Sequence, residues 1–212
     1  STLHDLIQNT IKAHKRIIFN GNGYDDMWVA EAQKRGLLNL KTTPDALPYF
    51  IKKKNVKLFE SHKVFTETEI NARYEILLDN YSKTLHIEAM TMLDMANKDL
   101  LPAYSEYTKQ LSDALTAKKA AVPDADCSFE EDRIRKISDL CGRMYQKTKA
   151  LEETLMKLVH MECDELEEAK YYQTQVFGAM NELRIAADEI ESITDRKAYP
   201  YPSYGDLLFG VR

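Results

Sequence analysis

The sequence predicts an all-α protein: long antiparallel, heptad-patterned helices forming a three- or four-helix bundle, with an N-terminal lobe of short helices and a docked C-terminal tail. Three observations carry this. Gly and Pro, the residues helices tolerate least, number only 7 and 6 in 212 residues. Beyond residue 66, apolar residues recur in steps of three and four, and strings with the form of a helix cap stand where those series begin. With 44% hydrophobic residues, the chain is also long enough to bury a substantial core.

The elements follow in order. Leu3, Leu6, Ile7 and Ile11 are spaced as one helical face, and Ile17-Ile18-Phe19 fits a brief strand before a turn. Asn20-Gly21-Asn22-Gly23 offers residues that accept positive φ, so a tight loop is expected there. Asp25 and Asp26 can cap a helix over about residues 26–36 that carries Trp28, Val29 and Ala32 and stops at Gly36. Thr43-Pro44 starts another helix through Ile51, and a further turn spans about residues 55–62. Residues 1–63 are thus expected to form the lobe.

Thr66-Glu67-Thr68-Glu69 has the form of a capping box. Behind it a long helix carries the stripe Ile70, Tyr74, Leu77, Tyr81, Leu85, Ala89, Met92 and Ala96, and Pro102 predicts a kink or restart near Asp99 to Leu101. Helix resumes to about Ala117, and residues 120–126 form a loop. Ser128-Phe129-Glu130-Glu131 repeats the capping form ahead of a heptad seam: Ile134, Ile137, Cys141, Met144, Thr148, Leu151, Leu155 and Leu158. A second seam runs through Ala169, Tyr172, Val176, Ala179, Leu183, Ala186, Ile190 and Ile193. Joining the two seams would place Glu162 and Glu165 in the core, where unpaired carboxylates are costly. A reversal at residues 161–166, capped by Asp164 with Glu167, is therefore favoured over one unbroken helix. The bundle is expected over 64–198. In the tail, 199–212, Tyr201, Tyr204, Leu207, Leu208 and Phe209 are expected to dock on the bundle or on a neighbour.

The formal net charge is -5 with both signs interleaved, which argues against nucleic acid as a partner. No apolar run approaches the roughly 20 residues of a membrane span. Cys127, Cys141 and Cys163, odd in number and widely spaced, fit no disulfide framework and suit a cytoplasmic location. The first residues lack the charged and apolar regions of a signal peptide, so a soluble, untargeted protein is expected, and the start without Met fits a piece of a larger parent.

A di-iron bundle needs Glu three residues before each histidine, yet Lys83 and Lys157 precede His86 and His160. Two glycines without a following Lys-Ser/Thr make Asn20-Gly21-Asn22-Gly23 a turn rather than a phosphate cradle. Glu165, Glu167 and Glu168 fall in a solvated run, Met90, Met92 and Met95 read as packing residues, and Cys141 lies on a seam. A catalytic bundle enzyme would need a convergent polar constellation that the sequence lacks. No catalytic, cofactor-binding or metal-ligating residue is assigned.

Several strings are more specific than packing requires: Arg16 to Tyr24, Lys34 to Leu40, Val64 to Glu69, Arg73 to Leu78, Ile87 to Met95, and Tyr201 to Phe209. Together they resemble the C-terminal domain that follows the catalytic barrel in type III glutamine synthetases, in order and over nearly the whole chain, most weakly around residues 112–165. The resemblance implies a parent enzyme that ligates ammonia to glutamate with ATP and Mg or Mn, through a γ-glutamyl phosphate, as a homo-oligomeric double ring of hexamers. Its glycine-rich nucleotide strand and barrel metal ligands have no counterpart here. The implied partner is the preceding catalytic domain, and the loop Asn20, Gly21, Asn22, Gly23, Tyr24 is a candidate for contact with the parent's active site. The competing reading is a stand-alone helical interaction module that binds a partner helix.

Overall fold

The computed structural model describes residues 2–210, among which there is no strand. Cα packing divides the chain into two compact units, Ser1–Lys41 and Thr42–Arg212.

The first unit holds α1 (Leu3–His14), a 3-10 turn (Lys15–Ile17) and α2 (Asp26–Lys34). The strand expected at residues 17–19 does not form; Ile17 ends the 3-10 turn, and Ile18 continues as unpaired extended chain. Asp25 caps α2 through Met27 N–H at 3.0 Å. Gly36, at φ 79°, ends it with the Leu37 N–H on Ala32 O and the Gly36 N–H on Gln33 O, both at 2.9 Å.

In the second unit, α3 (Thr43–Phe50) and α4 (Lys53–Ser61) precede the long α5 (Glu67–Met95). Thr66 and Glu69 form the expected capping box. The lobe had been expected to end at residue 63, but the unit boundary falls at 41/42, because Leu47 of α3 packs with Leu78 of α5 and Ala169 further along the chain. The stripe on α5 also shifts by one residue: Leu78 and Ser82 are buried while Leu77 is exposed. An α-helix drifts about 20° per heptad against a strict 3.5-residue repeat, so the stripe moves as α5 passes from one neighbour to the next.

A π-turn at Ala96–Leu100 leads into α6 (Leu101–Ala121), with Pro102 in its first turn. Proline has no N–H and its ring crowds the carbonyl four residues back; the wider turn, closed by Leu101 N–H on Ala96 O, relieves both. After a loop comes α7 (Ser128–Val159), whose seam is buried at Ile137, Met144, Thr148, Leu151 and Leu155 and half-buried at Ile134, Cys141 and Leu158. The capping box expected at Ser128 is not made. Ser128 is already helical, its N–H is held by Asp126 at 2.9 Å, and Glu130 and Glu131 instead pair with Lys118 and Lys119 of α6. Two carboxylates near the start of α7 thus meet two ammonium groups near the end of α6, each matching its helix dipole.

The reversal forms where expected: α7 stops at Val159, and the Asp164–Glu167 capping box starts α8 (Glu165–Tyr171). A second π-turn (Tyr172–Val176) joins α8 to α9 (Phe177–Glu191). Arg143 pairs with Glu189, Lys147 lies 3.0 Å from Glu182, and Tyr171 donates to Thr154 O at 3.2 Å, so α7 and the α8–α9 segment run in opposite directions. Asn97 of the first π-turn donates to Glu152 at 3.3 Å, and the His86 ring of α5 meets the Tyr172 hydroxyl at 3.0 Å, which closes this rod against both. The shared core includes Leu85, Ala89, Tyr104, Ile137, Met144, Leu151, Val176 and Ile190.

Candidate functional site

The loop singled out in the first unit is a built turn. The Asn22 side chain accepts the Tyr24 N–H at 3.0 Å, and the Asp25 N–H reaches Asn22 O at 3.2 Å, so the loop runs directly into the cap of α2. Phe19 stacks on Trp28 with ring centroids 4.1 Å apart, and the same ring lies over Gly21, where a Cβ would come within 2.5 Å of it. Arg35 donates to Arg16 O at 3.0 Å and closes the far side. The turn brings Asn20, Gly21, Asn22, Gly23 and Tyr24 together with every one exposed, and Tyr24 is 99% exposed. Backbone groups and a phenol are what this loop offers a partner.

The tail divides into two parts. Tyr199 donates to Glu191 at 3.0 Å and Tyr201 to Asp99 at 2.7 Å, with their rings edge-on at 5.8 Å. Burial, then the bond to Asp99, pushes the Tyr201 hydroxyl up to about 12, so it stays protonated as a donor. Tyr201 is half-buried against the core cluster. Tyr204, Leu207, Leu208 and Phe209 are not: they stand on α10 (Tyr204–Phe209), capped by Ser203 and Asp206, and are between 68% and 83% exposed. The Ser203 cap turns the chain into a short helix instead of continuing along the bundle as Tyr201 does.

Sequence reasoning did not pick out the groove between α5 and α7. It encloses about 480 Å³ and is lined by His86, Met90, Asp94, Glu152, Met156 and Val159 among others. The signal was present in Met156 and Val159, apolar residues off the α7 seam. The methionines part company there: Met90 lines this groove, whereas Met92 and Met95 line a second hollow of about 410 Å³ with Met144, Tyr199 and Tyr201. Among the described residues, no three His, Cys, Asp or Glu side chains come together as metal ligands; His86 is engaged with Tyr172, and His160 caps α7. Burial raises the Cys141 thiol above its ordinary value, which disfavours the thiolate a nucleophile needs. No helix is long and apolar enough to cross a membrane among the described residues.

Comparison with known proteins gives this arrangement a family. The model of the glutamine synthetase C-terminal domain matches residues 2–119, more than half of the chain. A glutamine synthetase from Butyrivibrio fibrisolvens is 43% identical over 208 residues, covering 98% of this chain and 30% of that protein. A type-3 glutamine synthetase from Dictyostelium discoideum is 30% identical over 217 residues, covering 99% of this chain and 29% of that protein. The chain spans about 30% of the length of the curated relatives it matches. By its sequence, the chain belongs to the glutamine synthetase C-terminal domain family.

Proposed function

We propose that this chain is the non-catalytic C-terminal helical domain of a type III glutamine synthetase, in which it braces the preceding catalytic domain and the oligomer. The observation that carries this is the alignment of almost the whole chain with less than a third of two glutamine synthetases. The parent reaction, ATP-dependent ligation of ammonia to glutamate, belongs to the remainder of such a polypeptide. The residues here offer no built site for ATP or a divalent cation: no metal-ligand cluster forms among the described residues, and the Asn20–Tyr24 turn is tied by its own hydrogen bonds into the cap of α2. No catalytic step is routed through them. Bracing is supported by the antiparallel, heptad-patterned rods, tied end to end by the Lys118–Glu130 and Arg143–Glu189 pairs into a three-helix bundle. The homo-oligomer, a double ring of hexamers, and the cytoplasmic location belong to the same reading.

The competing interaction module predicts a chain that is complete by itself. Exposed apolar residues on α1 and α10 favour the enzyme reading. A glutamine-forming assay with ATP, glutamate, ammonium and magnesium separates the two. Activity in the longer polypeptide and none in the 212-residue chain is the expected result. Activity in neither overturns the proposal, and activity in this chain alone overturns its non-catalytic assignment.

A further inference from the structure

The unit Ser1–Lys41 is compact, yet none of its described residues is buried. It also has no cysteine for a disulfide. Chains of about this size bury too little surface to hold a fold without staples, a metal or a partner. Within it α1 is sharply two-sided. Leu3, Leu6, Ile7 and Ile11 form one stripe, between 50% and 73% exposed, while Asp5, Gln8 and Lys12 occupy the opposite side. A helix so divided is stabilised by what covers its apolar face, not by its own propensity. Curated relatives are more than three times the length of this chain, and the matching family is a C-terminal domain, so the bulk of such a polypeptide precedes residue 1.

We propose that α1 docks through Leu3, Leu6, Ile7 and Ile11 onto the part of the longer polypeptide that precedes it, and that this contact completes the unit Ser1–Lys41. The inference rests on reading the chain as the C-terminal part of a larger enzyme. Hydrogen exchange of the amides of residues 6–14 tests it, measured in the 212-residue chain and in the longer polypeptide. The expected result is exchange at least about tenfold slower in the longer form. Ile7→Asp with Ile11→Asp in that form restores fast exchange, and Gln8→Glu on the opposite face leaves it slow. Equal exchange in the two wild-type forms overturns the docking, including the case in which α1 is already protected in the short chain because residues of this chain cover it. That comparison needs no substitution, so misfolding of the Asp variant does not blunt it. A longer form that makes glutamine without protecting α1 sinks the docking alone; one that protects α1 without making glutamine sinks the enzymatic reading alone.

Discussion

Two helix ends show how far single residues can be read. α2 and α4 close in the same way, with paired hydrogen bonds back into the last turn: Leu37 to Ala32 and Gly36 to Gln33 in one, Val64 to Phe59 and Lys63 to Glu60 in the other. The second residue past each helix must enter the left-handed region. At α2 it is Gly36, and the stop was legible; at α4 it is Lys63, at φ 54°, and nothing in the sequence marks it. A side chain in that region costs about 1–2 kcal/mol, part of which glycine returns through its larger loss of freedom on folding. Lys63→Gly is therefore expected to stabilise the second unit by about 0.5–1 kcal/mol, a rise in melting temperature of about 1–4 °C. A fall in the melting temperature would mean that the Lys63 side chain makes a contact worth more than the strain.

At the scale of elements, spacing carried most of the fold, because burial follows helical phase. The α7 seam is buried or half-buried at every position from Ile134 to Leu158, and the Asp164 reversal stands because two glutamates could not enter the core. What spacing could not show was partner choice. Leu78 replaces Leu77 because α5 changes neighbours along its length, and Ser128 does not cap because Glu130 and Glu131 have lysines to meet. The π-turns differ in legibility for a similar reason: Pro102 announces the first, while the second has no local marker. A π-turn is an α-helix with one extra residue; here Tyr172 and Val176 face the core while Gln173 reaches Thr42 at 2.8 Å and Asp45 at 3.0 Å. Deleting the exposed Thr174 should let the turn close as α-helix with both flanks in phase, at a cost below about 2 kcal/mol. Deleting Asn181 from the regular α9 turns Leu183, Ala186 and Ile190 about 100° away from the core and should cost more than about 4 kcal/mol. Urea unfolding of the two deletion variants is the measurement; equal losses would show that the second π-turn holds no slack.

For the whole molecule, the bundle was legible because it satisfies itself, whereas its exposed apolar surfaces were not, since no sequence states which apolar residues will find cover. The tail makes this concrete. Tyr199 and Tyr201 pack against the core and bond to Glu191 and Asp99, but among the described residues α10 and its Ser203 cap add to these polar ties just the contacts of Arg196 with Ser203 and Asp206 near the surface. Truncation after residue 202 should then leave the melting temperature of the 212-residue chain within about 2 °C of the original, as surface changes generally do. Truncation after residue 198 also removes both half-buried rings and should lower it by about 5–10 °C, at about 2–4 °C per kcal/mol for a chain this size. If α10 serves an oligomer of the longer enzyme, the shorter of these two truncations, silent in the chain alone, is the one that dissociates the assembly by sedimentation while leaving each subunit folded. An assembly unchanged by that truncation would remove α10 from the interface, and would leave Leu207, Leu208 and Phe209 as ordinary exposed residues.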